Sequence, residues 1–331
     1  MKNTGTQKRK ETQMKKIAVG IDVGGTSVKM GLFSNDGSLL KKWEIETRKG
    51  HNGDFIFHDI AESVKGTLRK ENIGEENIIG AGMGIPGPVN DETGYVEICP
   101  NLELKDACPS RELSAYLGGM KVILANDANV AALGETWKGA AQGYKDVLLV
   151  TLGTGIGGGL VLNGEIRNGK HGLAGEIGHT HVRDEETEIC GCGGRGCLEQ
   201  VSSATGIVRE AKRMMAAGTE PSEMRAFGDR LAARDVCNLA KAGDNLANRA
   251  LQISCRYLGL ALSHAAMTVD PEVFVIGGGV SRAGTFLIQM IQPYYEEYLP
   301  LSREKSEIML AQLGNDAGIY GGARLILQNG K

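Results

Sequence analysis

The alternation of apolar runs with glycine turns begins at Ile17. IAVGID, VGGTS and VKMGLF predict a strand, a tight turn and a second strand. The same pattern returns after Asp146 as VLLVTL, GTGIGGG and LVLNG. A second internal likeness links VILANDANVAALGE (122–135) with IMLAQLGNDAGIYGGA (308–323). In each, an apolar strand runs into Asn-Asp-Ala and then into a helix of small residues. Duplication of this kind predicts two similarly folded α/β halves, with the second Asn-Asp-Ala helix packing back on the first half. Residues 203–217 and 229–267 read as long amphipathic helices, and 272–276 as a short buried strand ending in Gly277-Gly278-Gly279. The expected division lies near residue 136. It gives a first domain of 16–135 that also takes helix 316–331, and a second domain of 136–315.

Composition narrows the class. A chain of 331 residues with 41% hydrophobic and 23% charged residues can bury a large core. A net charge of −3 offers no electrostatic case for nucleic acid or an anionic membrane as partner. No run reaches the ~20 apolar residues of a membrane span. The opening MKNTGTQKRKETQMKK is basic without an apolar core, so it reads as a disordered tail over 1–15 rather than a signal peptide, and Met14 could serve as an internal start. The 48 glycines stand well above the usual share of roughly 7% and are clustered, which points to specific tight turns. Of seven cysteines, three crowd into residues 190–197 and the rest are scattered. That is a poor disulfide framework and fits a reducing, cytoplasmic setting with one metal cluster.

The glycine turns suit a polyphosphate. Phosphate oxygens need several backbone N–H groups pointing one way with no Cβ in the path. Gly24 and Gly25 supply this in the first turn. Thr26 adds a hydroxyl, Lys29 a charge, and Asp22 a hard oxygen for Mg²⁺. Gly153, Thr154 and Gly155 form a second turn of the same kind, and two such hairpins facing a cleft can grip one triphosphate. A single Gly-Gly-Thr would be read as a plain hairpin; the pair is harder to dismiss. Gly278 and Gly279 follow a strand and precede a helix, where a base or ribose could rest, although helix capping is the plainer reading of that cluster alone. There is no Walker motif and no Rossmann G-x-G-x-x-G after the first strand.

Cys190, Cys192 and Cys197 form C-x-C-x₄-C among glycines, a spacing that lets three thiolates converge on one ion. A closed structural Zn²⁺ site needs a fourth ligand; His179 is the first choice, with His181 and His171 behind it. Zinc would draw Glu176, His179 and Glu199 into one neighbourhood, where carboxylates could accept hydrogen bonds from vicinal sugar hydroxyls; surface glutamates are the plainer alternative. Asn126-Asp127 follows a strand at the start of a helix. Either residue could simply cap that helix. The same position suits a carboxylate that receives the proton of an attacking hydroxyl during phosphoryl transfer. Asn315-Asp316, without polar neighbours, reads as structural.

Together D-x-G-G-T, G-T-G-x-G-G-G, E-x-G-H and C-x-C-G-x-x-G-C-x-E resemble the ROK family, from about Lys16 to the C-terminus. The resemblance implies two actin-like, ribonuclease-H-like domains around a cleft, and ATP-dependent phosphorylation of a sugar 6-hydroxyl. It implies Asp127 as base, and Gly87, Asn101, Asn126, Glu176, His179 and Glu199 on the sugar. It implies zinc on His179, Cys190, Cys192 and Cys197, and a homodimer. Within the family, Gly84 to Val89, Asn101 and the run Glu199 to Gly206 are similar to the bacterial glucokinases. Those enzymes usually read Asn-Leu-Gly-Trp where this chain has Asn101-Leu102-Glu103-Leu104. Kinases for N-acetylmannosamine, N-acetylglucosamine, fructose or mannose are the alternatives, and a sugar-responsive repressor is a more distant one. A repressor's helix-turn-helix module needs about 60 residues, and 16 precede Ile17.

Overall fold

The computed structural model describes residues 16–90 and 92–329. The expected tail 1–15, the start at Met14 and the last two residues of helix 316–331 lie outside the described residues.

The first half contains β1 (Ile17–Val23), β2 (Ser27–Ser34), β3 (Leu39–Glu46), α1 (Asp54–Lys70), β4 (Ile78–Ile85), β5 (Val96–Cys99), β6 (Leu104–Ala107), α2 (Pro109–Tyr116), β7 (Val122–Asn126) and α3 (Asp127–Lys138). The second contains β8 (Val147–Leu152), β9 (Ile156–Leu162), β10 (Glu165–Ile166), α4 (Glu199–Ser202), α5 (Ala204–Ala217), α6 (Ala233–Lys241), α7 (Asn245–Val269), β11 (Val273–Gly277), α8 (Thr285–Tyr298), β12 (Glu307–Leu310) and α9 (Ala317–Asn329).

The two large sheets have one plan. The first runs β3-β2-β1-β4-β7 and the second β10-β9-β8-β11-β12. In each, two hairpin connections give antiparallel neighbours, and the remaining two strands join in parallel. The parallel strands β4, β8 and β11 are almost continuously buried, as strands covered on both faces must be.

The helices α3 and α9 pack on one another between the sheets. Their backbones meet where glycine allows it: a Cβ on Gly134 would overlap the Ala317 carbonyl, and one on Gly321 the Val130 carbonyl. Helix α9 lies against β1 and β4 of the first sheet, so the last helix of the chain completes the first half. Residue 136 falls inside α3, which packs against strands of both sheets. Apolar side chains from both halves, including Val130, Leu133, Leu149, Val273 and Leu325, form one buried cluster at this junction.

One expectation needs correction. Residues 229–267 are not one helix: α6 ends at Lys241 and α7 begins at Asn245. Gly243 adopts φ 95°, and the Asp244 carboxylate accepts the Ala247 N–H at 2.9 Å as a new N-cap. The apolar stripe runs past this break, which hid it from periodicity.

Candidate active site

The strand β7 delivers Asn126 and Asp127 to the mouth between the halves. Asn126 is extended (φ −62°, ψ 143°) and its Oδ1 accepts the N–H groups of Ala128 at 2.9 Å and Asn129 at 3.2 Å, so it caps α3. Its Nδ2 donates to the Gly87 carbonyl at 3.1 Å. Capping and site-building therefore belong to one residue, because that second bond fixes the loop after β4. Gly87 has φ 92°, a conformation that favours glycine.

Asp127 is half-buried, and its Oδ1 accepts the Ala128 N–H at 2.8 Å. Burial pushes its carboxyl above the ordinary range, against the opposing pull of backbone N–H groups and Asn126. Asp22, near the end of β1, is pushed up to about 6, first by burial, with Lys29 opposing and the Asp127 charge adding to the rise. Lys29 sits directly across the β1–β2 ladder from Asp22. Partial burial raises Glu176 as well; His179 opposes this, and Asp127 and Glu199 add to it. Four acidic groups from four separate segments thus share one field.

The first glycine turn is braced by residues well apart in sequence. Thr47 donates its hydroxyl to the Gly24 carbonyl at 2.7 Å and its N–H to the Thr26 carbonyl at 3.0 Å. The Asn101 carbonyl lies 3.4 Å from where a Cβ on Gly25 would stand, so exposed Asn101 sits beside this turn. The second turn is held by the start of α5. The Ala204 N–H donates to the Gly153 carbonyl at 2.8 Å, and the Thr205 hydroxyl to the Thr154 carbonyl at 2.5 Å. Gly278, with φ 81°, lies against the end of β8: a Cβ there would stand 2.5 Å from the Leu152 carbonyl oxygen. Gly279 follows it, exposed. The third glycine cluster therefore adjoins the second turn.

The cysteine loop closes on itself. The Cys190 N–H donates to the Gly194 carbonyl and the Gly193 N–H to the Cys190 carbonyl, both at 2.8 Å. The ligand atoms of His179, Cys190, Cys192 and Cys197 all lie within 4.8 Å of one another. His181 is engaged elsewhere, with its ring nitrogens 2.8 Å from the Arg195 carbonyl and from Asp184. His171 lines a cavity of about 350 Å³ together with Pro88 and Asn168. Glu199 joins the loop to the second turn: Oε1 lies 3.0 Å from Cys190 Sγ and 3.7 Å from His179 Nδ1, and Oε2 stands 2.6 Å from where a Cβ on Gly155 would be.

Sequence reasoning missed two supports. Asn129 is buried on α3; its Oδ1 accepts the Leu160 N–H at 3.0 Å and its Nδ2 donates to Asn168. Glu135, fully buried, accepts the N–H groups of Ala140, Gln312 and Leu313, tying the end of α3 to the segment before α9. A polar residue on the inward stripe of a small-residue helix was the available signal for both.

Comparison with known proteins is consistent along the chain. The profile described as "ROK family" matches residues 18–329. A glucokinase of Halalkalibacterium halodurans is 42% identical over 94% of each chain. A ROK family glucokinase from Streptomyces griseus, solved in complex with glucose and AMPPNP, superposes with a TM-score of 0.74 at 31% identity over 94% of this chain and 99% of that one. A ROK family transcriptional regulator, a homologue of the E. coli MLC protein, gives a TM-score of 0.83 at 27% identity, covering 96% of this chain and 79% of that one. With two sheets of one plan, paired glycine turns and the His-Cys loop in place, this chain belongs to the ROK family.

Proposed function

We propose that this protein is a hexose kinase that transfers the γ-phosphoryl group of ATP to the 6-hydroxyl of glucose. The observation that carries the reading is Asp127: a half-buried carboxylate of raised proton affinity, held at the carboxyl end of β7 by an Asn126 cap that also fixes Gly87. The 6-hydroxyl gives its proton to the Asp127 carboxylate as its oxygen bonds to the γ-phosphorus. The bond from that phosphorus to the bridging oxygen breaks, and ADP leaves. Little covalent work falls to the protein in such a transfer, so positioning dominates.

Gly87, Asn101, Asn126, Glu176, His179 and Glu199 are assigned to the sugar hydroxyls. The β1–β2 turn (Asp22, Gly24, Gly25, Thr26, Lys29) and the β8–β9 turn (Gly153, Thr154, Gly155) are assigned to the phosphates, with Gly278 and Gly279 beside the nucleoside. Mg²⁺, to which Asp22 could offer a carboxylate oxygen, would supply charge neutralisation of the phosphates when bound. His179, Cys190, Cys192 and Cys197 fit a closed zinc site in number, donor type and spacing. Burial pushes the Cys190 thiol up, so its thiolate needs a cation beside it. Zinc there is structural, since four protein ligands leave no position for water.

The H. halodurans glucokinase and the glucose-bearing S. griseus neighbour support glucose over other hexoses. A half-buried carboxylate of raised proton affinity at Asp127 supports turnover over sugar sensing alone. ADP release measured with glucose, mannose, fructose, N-acetylglucosamine and N-acetylmannosamine tests the reading. The highest kcat/KM is expected with glucose. Sugar binding without ADP release from any of them would sink the kinase reading, and a tenfold preference for an N-acetyl sugar would reassign the substrate.

A further inference from the structure

Behind the cleft, at the opposite ends of the same helices, lies a cavity of about 430 Å³. Its walls are the last turns of α3 and α9, the segment entering β8 and the β9–β10 turn. It is remote from the phosphate-binding turns. Between Lys145, on its rim, and Gly153 runs the whole of β8 (Val147–Leu152), about 17 Å at the rise of a strand.

The chemistry of this cavity is cationic and aromatic. Arg324 on α9 is half-buried there, its guanidinium carbon 5.7 Å from the Trp137 ring centroid. Among the described residues it meets no carboxylate within ion-pair distance and makes no hydrogen bond, and burial alone moves its pKa, downward. Half-buried and without a counter-ion, the guanidinium keeps its N–H donors open to the cavity, where an anion could take them in place of water. Lys145 is exposed at the rim; its backbone N–H donates to the Glu272 carboxylate at 2.5 Å and its charge helps hold that carboxyl low, while its ammonium makes no ion pair among the described residues. The acidic member of the lining, Glu165, has Arg167 beside it at 3.6 Å. Trp137 closes one side. The turn between β2 and β3 packs on it, with a Cβ on Gly37 standing 2.5 Å from the indole.

We propose that this cavity is a second binding site, for a small phosphate-bearing molecule whose anionic group takes Arg324 and Lys145 and whose carbon skeleton lies against Trp137. A guanidinium fork matches two phosphate oxygens, and the ammonium adds a point charge at the mouth. The indole offers a flat apolar surface for the remainder of the ligand. The inference stands apart from the kinase reading, since it uses none of the residues assigned to sugar or ATP.

The site carries its own reporter. The chain has two tryptophans, Trp43 and Trp137. In a Trp43→Phe background, Trp137 emission is titrated with inorganic phosphate and with phenyl phosphate, while saturating glucose and MgADP fill the front cleft. A saturable change is expected, with phenyl phosphate binding more tightly. Arg324→Gln should weaken it tenfold or more, the loss expected for a charge-assisted hydrogen-bonded pair, and Lys145→Ala about threefold. Because Arg324 is half-buried, thermal melting checks that its variant folds; Lys145 is exposed and gives an answer independent of folding. No saturable change with either probe, or titrations that Lys145→Ala and a folded Arg324→Gln leave unaltered, would overturn the proposal.

Discussion

The two Asn-Asp-Ala helices share a sequence at their starts and differ in what surrounds it. In the first half, Asn126 caps α3 and Asp127 is half-buried, its charge felt by Asp22 and Glu176. In the second, Asn315 and Asp316 form a short 3₁₀ turn ahead of α9; Asn315 is exposed and Asp316 pairs with Lys42 at 2.7 Å on the surface. The fold has thus duplicated a strand-to-helix corner, yet the first aspartate shares a field with Asp22 and Glu176 while the second is held in a surface ion pair with Lys42. Topology supplies the corner, and environment decides what its aspartate can do.

The largest test of this contrast is Asp127→Ala against Asp316→Ala. Loss of a general base is expected to lower kcat by about 10²–10⁴-fold with the fold and glucose binding retained. Asp316→Ala removes an exposed ion pair and should cost within about 1 kcal/mol of stability, with kcat unchanged. Comparable kcat losses in the two variants, with both folded, would erase the distinction.

Next comes Asp22, whose folded pKa of about 6 exceeds its ordinary 3.8. The folded chain therefore binds more protons than the unfolded chain between these values. Stability falls as pH rises through that window, by about 3 kcal/mol at most. Asp22→Asn removes the buried charge, so it should stabilise the fold by about 1–3 kcal/mol at pH 7.5 and hardly at all at pH 4. Its kcat/KM for ATP should drop by about tenfold or more. Urea unfolding at both pH values reads the first effect and ADP release the second. Equal stabilisation at the two pH values would show that the carboxylate charge is not the source.

The cysteine loop belongs to the second half alone, and Glu199 links it to the β8–β9 turn. Cys192→Ser should lower bound zinc, measured by mass spectrometry, and raise the glucose KM by about 10–100-fold. Full metal content with an altered KM would separate the loop from zinc.

What could be seen in the sequence was whatever is local. The Gly24-Gly25 and Gly153–Gly155 turns, and the convergence of Cys190, Cys192 and Cys197, depend on neighbours a few residues away, so spacing revealed them. The Asn126 bond to Gly87 spans 39 residues, and the Thr47 brace on Gly24 spans 23. No periodicity reports such pairings. The break at Gly243 was hidden because apolar positions continue in phase on both sides of it. The Arg324 cavity takes its walls from four separate segments, and only the packing of α3 on α9 assembles them.

The smallest effect concerns Glu103, at the position where the resemblance to bacterial glucokinases implies glycine. Glu103 adopts φ 57°, ψ 38°, the left-handed conformation, just after the turn that holds Asn101. A side chain there costs about 1–2 kcal/mol relative to an ordinary backbone conformation. Glycine would relieve that strain but would enlarge the unfolded ensemble by about 0.4–1 kcal/mol. The opposed contributions nearly cancel, so Glu103→Gly should change stability by about 0.5 kcal/mol in the favourable direction. Leu104, where the same resemblance implies tryptophan, is buried in β6 and joins the core of the first half. The substitution at 103 therefore alters no apolar wall, and the glucose KM should stay within twofold. A destabilisation above about 1 kcal/mol, read from denaturant midpoints, would mean that the Glu103 side chain supports the Asn101 turn, and that this half, like the other, braces its glycine hairpin with a carboxylate.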